Sequence, residues 1–246
     1  MTLRYSAAWL LLIALAPLII LQALHLRRTA LRLPPAGGER QGRIAGNGKP
    51  LRLLVIGEST VAGVGAESHD EALSGRLAAA LHRQTGKSIA WEAAGLNGMV
   101  ARETAAKLLP WVENRPVDVL VLALGVNDVL ALRSPRAWIA DLSRLLNRLH
   151  EELQPALTVI SAVPPVGDFP AIPRPLRTLF GLVADSLNQI TNRAAADWEN
   201  VCYATLPDEL PRDAVHFSHD GFHPSPEGYR VWAEWLAELV RDRLRG

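Results

Sequence analysis

The sequence predicts a three-layer α/β/α domain around a five-stranded parallel sheet in the flavodoxin-like strand order 2-1-3-4-5, preceded by one transmembrane helix. Three observations predict it. Apolar runs of strand length alternate with segments of helical period, the runs are apolar throughout, and one long apolar stretch stands at the N-terminus. The runs are LRLLVI (51–56), SIAWEAA (88–94), VDVLVLAL (117–124), LTVISAV (157–163) and VCYATL (201–206). A strand that is apolar on both faces must be covered on both, and a parallel sheet flanked by crossover helices does this. Helical period falls near 69–84, 100–110, 135–153, 176–197 and 226–243, one segment after each run, so the strand-helix unit repeats five times.

From Ala7 to Leu26, 17 of 20 residues are apolar, the exceptions being Pro17, Gln22 and His25. At about 1.5 Å per helical residue the stretch reaches about 30 Å, the thickness of a bilayer's hydrocarbon core. A signal peptide's apolar region runs to about 7–15 residues before a small-x-small cleavage site, and none follows cleanly here. Residues 1–33 are therefore read as a retained, single-pass membrane anchor. Arg27, Arg28, Arg32, Arg40 and Arg43 outnumber Arg4 plus the terminal amine, which leans the following domain toward the cytoplasm. A single short segment leaves translocation to the periplasm or cell exterior open. Residues 34–50, PPAGGERQGRIAGNGKP, hold five glycines and three prolines with no apolar period, so a flexible linker is expected there and a single domain over 51–246.

Composition removes other classes. With 26 Lys+Arg against 25 Asp+Glu, net charge is +1, which excludes nucleic-acid binding driven by bulk charge. A chain 49% hydrophobic and 21% charged is not a disordered one. The single cysteine, Cys202, cannot form an internal disulfide and falls on an expected buried strand, where it reads as a small core residue. The slightly positive mean hydropathy of +0.09 comes from the anchor.

In an open parallel sheet, ligands bind at the carboxyl ends of the strands, beside the first strand where the winding reverses. Strand one there runs into Gly57-Glu58-Ser59-Thr60, strand two into Gly95-Leu96-Asn97-Gly98 and strand three into Gly125-Val126-Asn127-Asp128. Before the last helix stands His219-Asp220-Gly221-Phe222-His223-Pro224. The order 2-1-3 makes the first three turns neighbours, and the chain past Leu206 is long enough to bring His223 to Ser59.

These four turns, in this order, resemble the blocks of the GDSL, or SGNH, hydrolase superfamily, over essentially all of 51–243. The resemblance implies a nucleophilic serine at Ser59, a glycine of the oxyanion hole at Gly98, an asparagine of the same hole at Asn127, and an Asp-x-x-His pair at Asp220 and His223. One position departs: the family's Gly-Asp-Ser-Leu is here Gly57-Glu58-Ser59-Thr60. The chemistry suits these residue types. A serine hydroxyl is a poor nucleophile until a base such as His223 takes its proton, and Asp220 would fix the imidazole tautomer and stabilise the imidazolium. The backbone N–H groups of Ser59 and Gly98 and the side-chain amide of Asn127 would meet the developing oxyanion.

Simpler readings compete with each residue singly. Ser59 could cap a helix and Asn127 could sit in a turn; their joint occurrence with Asp220 and His223 favours catalysis. Gly57, Gly63 and Gly65 lack the rest of a phosphate loop or dinucleotide fingerprint. His216, His219, Asp220 and His223 could ligate a metal, but the hydrolase reading already employs the Asp and one His, so no metal is expected and His216 and His219 are read as loop residues. Trp138, Trp232 and Trp235 are read as packing residues. The stiff segment 163–177, VPPVGDFPAIPRPLR, either lines an acyl pocket as a partial lid or is a rigid connector. The expectation is a membrane-anchored serine ester hydrolase that uses no cofactor and takes short to medium acyl esters or lipid-like esters. A carbohydrate O-deacetylase or acyltransferase is the alternative within enzymes. A catalytically silent binding domain is the alternative outside them, and the intact site residues argue against it.

Overall fold

The computed structural model describes residues 3–112, 116–205, 207 and 213–245. Among the described residues six strands form one sheet, β1 (Gln41–Ile44), β2 (Asn47–Gly57), β3 (Lys87–Gly95), β4 (Val119–Ala123), β5 (Leu157–Ser161) and β6 (Val201–Ala204), in the order β1-β3-β2-β4-β5-β6. β2 to β6 are parallel and stand in the predicted order. The described residues also form seven α-helices: α1 (Leu3–Thr29), α2 (Leu73–Thr85), α3 (Ala101–Leu108), α4 (Val126–Leu130), α5 (Pro135–Leu153), α6 (Leu176–Ala195) and α7 (Pro226–Arg243).

The uniformly apolar strands serve two cores at once. Leu54, Ile56, Leu120, Leu122 and Ile160 point to the face covered by α3, α5 and α6, whereas Leu53, Val55, Val119, Val121 and Val159 point to the face under α2 and α7. Trp138 of α5 is fully buried, and its indole N–H donates to Thr191 Oγ1 of α6 at 2.7 Å. The helix starts follow local chemistry. Ser134 and Ser225 each precede a proline and accept from the N–H three residues on, Ala137 at 3.3 Å and Gly228 at 3.1 Å, which opens α5 and α7.

The sheet has one strand more than expected. β1 lies within 34–50, read above as linker, and pairs antiparallel with β3. Four half-exposed residues carry too little apolar pattern to announce an edge strand. Gly42 lets it lie close over the Trp91 ring, which a Cβ there would meet at 2.7 Å. β2 likewise starts earlier, at Asn47, and the end of the last predicted strand, Leu206, lies outside the described residues. The short α4 was not expected.

The N-terminal apolar stretch is helical over Leu3–Thr29 and bends at Leu15, two residues before Pro17, whose ring and missing N–H interrupt the helical ladder. It is long and apolar enough to cross a membrane, and only 11% of its most apolar window is buried, too little for a core helix. One side, with Tyr5, Ala8 and Leu12, rests on Leu179 and Val183 of α6. Gln22, the polar exception in the stretch, accepts from Leu176 N–H at 3.1 Å and donates to Arg174 carbonyl at 2.7 Å, at the start of α6. Trp9, Leu10, Ile13, Ile20, Leu21 and Leu24 face outward.

Candidate active site

The carboxyl ends of β2, β3 and β4 lie side by side, since Gly57 is in register with Gly95 on one side and Ala123 on the other. Gly57 tolerates no side chain: a Cβ would fall 2.0 Å from Ala123 carbonyl oxygen. The chain leaves β2 in a series of turns, with Ser59 carbonyl accepting from Val64 N–H at 2.9 Å. α7 secures this segment from below, where buried Tyr229 donates its hydroxyl to Val64 carbonyl at 2.7 Å.

Ser59 Oγ stands 3.1 Å from His223 Nε2, and His223 Nδ1 stands 2.6 Å from Asp220 Oδ2. The histidine is delivered by a compact loop. Asp220 Oδ1 accepts from Phe222 N–H at 2.9 Å and His223 N–H at 3.0 Å, and Ser218 N–H donates to His223 carbonyl at 2.8 Å. The Ser218 hydroxyl donates to Pro224 carbonyl at 2.9 Å and lies 3.2 Å from Gly65 carbonyl, where the histidine loop meets the serine loop. Burial alone would raise the Asp220 carboxyl, but the hydrogen bonds from the His223 ring and the two backbone amides hold it below the ordinary aspartate range. It is therefore a carboxylate at neutral pH, with its side chain 2% exposed.

Gly98 lies in the turn after β3 with φ of +77°, a conformation that suits glycine. The backbone N–H groups of Ser59 and Gly98 donate to no group among the described residues. Asn127 is in the first turn of α4, whose start at Gly125 has φ of +123°. Its side-chain amide is engaged on both hydrogens, with Met99 carbonyl at 3.0 Å and with the carboxyl of Glu58. Glu58 is 2% exposed and also accepts from Val126 N–H at 2.8 Å and Asn127 N–H at 3.1 Å. Burial pushes its carboxyl up to about 7 against the pull of these donors, and the neighbouring Asp128 adds to the rise.

A largely apolar cavity of about 100 Å³ opens beside Ser59 and His223. Its walls include Pro164, Pro165 and Phe169 from the 163–177 segment, Phe217 and Phe222 from the histidine loop, and Val231 and Trp232 from α7. Phe169 meets Phe217 and Phe222 edge-on at 5.7 and 5.1 Å between ring centres, and Phe222 meets His223 at 5.1 Å. Asn188 of α6 clamps the start of the segment by bonding both Val163 N–H and Val163 carbonyl at 2.9 Å, and it accepts the Tyr203 hydroxyl at 2.8 Å. The segment is thus a fixed wall of the cavity.

The five site residues named from the sequence all lie at this end of the sheet, Ser59, His223 and Asp220 in one polar chain and Gly98 and Asn127 in the adjoining turns. The sequence reading missed His216 and Trp232 as cavity residues and Glu58 as a partner of Asn127. Only Glu58 carried a signal, its departure from the aspartate of the motif; a tryptophan at helical spacing looks the same whether it faces a core or a cavity. Cys202 is buried, as expected of a core residue.

The fold and this arrangement define a protein of the SGNH-hydrolase class. The chain belongs to the GDSL-like lipase/acylhydrolase family, whose model matches residues 55–231. It is 29% identical over 199 residues to a GDSL-like esterase of Mycobacterium tuberculosis, covering 79% of this chain but only 63% of that protein's length. Among solved structures it is similar to a family 3 carbohydrate esterase of Clostridium thermocellum, at TM-score 0.62 and 20% identity over 80% of this chain and 98% of that one. It is also similar to a lipase/acylhydrolase of Enterococcus faecalis, at TM-score 0.56 and 18% identity over 78% and 96%.

Proposed function

We propose that the protein is a serine hydrolase of short-chain acyl esters, anchored to a membrane by α1. The observation that carries this reading is the chain of contacts from Ser59 through His223 to Asp220, with distances of 3.1 and 2.6 Å. A carboxylate at Nδ1 keeps the imidazole proton on that nitrogen, which leaves Nε2 free to accept the Ser59 proton. Ser59 Oγ then attacks the acyl carbon, and the oxyanion takes hydrogen bonds from Ser59 N–H, Gly98 N–H and the Asn127 amide. Collapse breaks the bond to the alkoxide, which receives its proton from His223. Water, deprotonated by the same nitrogen, releases the acid and restores Ser59.

The cavity argues for a short acyl group. An apolar cavity of about 150 Å³ holds a benzene ring, so 100 Å³ corresponds to roughly four carbons. The same size suits an acetyl group, which favours deacetylation of a carbohydrate as the second reading. Full-length protein in detergent, assayed on p-nitrophenyl esters from acetate to palmitate and on an acetylated sugar, tests both. Turnover is expected to peak at or below about six carbons and to vanish in Ser59→Ala. Activity surviving that substitution would refute the mechanism, and acetylated sugar preferred over every simple ester would select the second reading.

A further inference from the structure

Glu58 occupies the position beside the nucleophile where the family's usual residue is one methylene shorter. Its carboxylate collects three donors from β4–α4: the backbone N–H groups of Val126 and Asn127 and the side-chain amide of Asn127. No Lys or Arg pairs with it among the described residues. An ionised carboxylate, with four lone-pair sites, accepts all three. A protonated one can carry its O–H on the unused site of Oε1 and still accept all three, but the bond that holds the Asn127 amide is then neutral and weaker; a glutamine presents an NH₂ to one of the donors.

We propose that Glu58 is a positioning residue for the oxyanion hole, its ionised carboxylate fixing the Asn127 amide so that this donor is set before the reaction begins. The inference rests on the Ser59 mechanism above. With Glu58 holding one amide hydrogen through a charge-assisted bond, the other, on Met99 carbonyl at 3.0 Å, is held by a neutral bond and is the one the oxyanion recruits. Full activity then needs two groups deprotonated, His223 to accept the serine proton and Glu58 to hold Asn127. Because burial pushes Glu58 up to about 7, its titration falls near neutral pH. The other titratable groups around it are Asp128 on α4, which raises it, and Asp168, His216 and His223 on the cavity wall.

The test is the pH dependence of kcat and KM for a butyrate ester, with full-length wild type, Glu58→Gln and Glu58→Asp. In wild type the acid limb of kcat/KM is expected to steepen toward about two protons, and in Glu58→Gln to relax to about one. Glu58→Gln is expected to lose about 10²-fold in kcat with KM nearly unchanged, since the interaction matters in the transition state. Glu58→Asp, ionised but shorter, is expected to recover about tenfold of that loss and to keep the steep limb. A one-proton limb in wild type overturns the proposal and needs no variant to fold. So does a glutamine variant with a loss confined to KM, or one faster than wild type, the latter meaning that the carboxylate's repulsion of the oxyanion outweighs its positioning. If Ser59→Ala retains turnover, the mechanism itself falls; if Ser59→Ala is dead and Glu58→Gln unaffected, only the role of Glu58 falls.

Discussion

Replacing Asp220 by asparagine separates geometry from charge in the Ser59–His223–Asp220 chain. The aspartate does two jobs with two oxygens. Oδ1 holds the loop by accepting from Phe222 and His223 N–H at 2.9 and 3.0 Å, and Oδ2 meets His223 Nδ1 at 2.6 Å. Asparagine can keep the first job with its carbonyl oxygen, so the loop should keep its shape. Its NH₂ then faces Nδ1, which must become an acceptor, and the imidazole proton moves to Nε2. That nitrogen, 3.1 Å from Ser59 Oγ, can no longer take the serine proton. Wrong-tautomer substitution in a triad lowers kcat by about 10⁴, or about 5 kcal/mol of barrier. The assay is kcat on a butyrate ester beside the melting temperature of the same preparations, with the melting temperature expected to stay within about 3 °C of wild type. A loss under about tenfold in a folded variant would refute the assignment of Asp220, because the tautomer would then not be under its control.

Other outcomes follow from the same geometry. Trp232→Ala removes a wall of the cavity together with the indole bond to Ser161 Oγ at 3.1 Å, and should move the preferred acyl chain from about four carbons to eight or more. An unchanged chain-length profile on the p-nitrophenyl series would mean that the cavity does not receive the acyl group. Removal of residues 1–33 should transfer activity from the membrane pellet to the supernatant; activity left in the pellet would refute α1 as the anchor. Glu58 should also tie stability to pH. Its folded value of about 7 lies above the ordinary 4.5, so its contribution is fully present below about 4.5 and is lost as pH rises through 7, an effect of about 3 kcal/mol. Melting temperature should therefore fall between about pH 5 and 8 in wild type and much less in Glu58→Gln, and equal slopes in the two proteins would show that Glu58 is not the group responsible.

The central sheet was legible because its strands are apolar on both faces, as in VLVLA of β4, and their alternation with helical segments points to a doubly covered parallel sheet. Topology then placed Ser59, Gly98 and Asn127 in adjoining turns, so short motifs far apart in the chain could be read together. β1 escaped because an edge strand needs apolar residues on one face only, and here Ile44 alone faces the core while Gly42 yields to Trp91. The cavity escaped for a different reason. Phe169, Phe217, Phe222 and Trp232 come from three segments, and no periodicity in any one of them records that their side chains stop short of one another. Glu58 was visible as an irregularity but not as a contact, since its partner lies 69 residues away on the neighbouring strand's exit turn.

Glu58 also sets stability against function at a single carboxyl. The protonated form costs less to bury, yet it holds Val126, Asn127 and the Asn127 amide only through neutral hydrogen bonds. The ionised form accepts the same three through charge-assisted bonds, which is what the proposed oxyanion hole needs, at the cost of a charge that is 2% exposed with Asp128 close by. A glutamine at this position would relieve that cost while mispairing one donor, so the variant should be the more stable protein at pH 8 and the slower enzyme. Sites that must hold a donor ready for a charge not yet formed are where such opposition is expected, because preorganisation is supplied by folding energy spent before substrate arrives. If Glu58→Gln proved both less stable and slower at pH 8, the carboxylate would be a structural cap of α4 and the opposition would not exist.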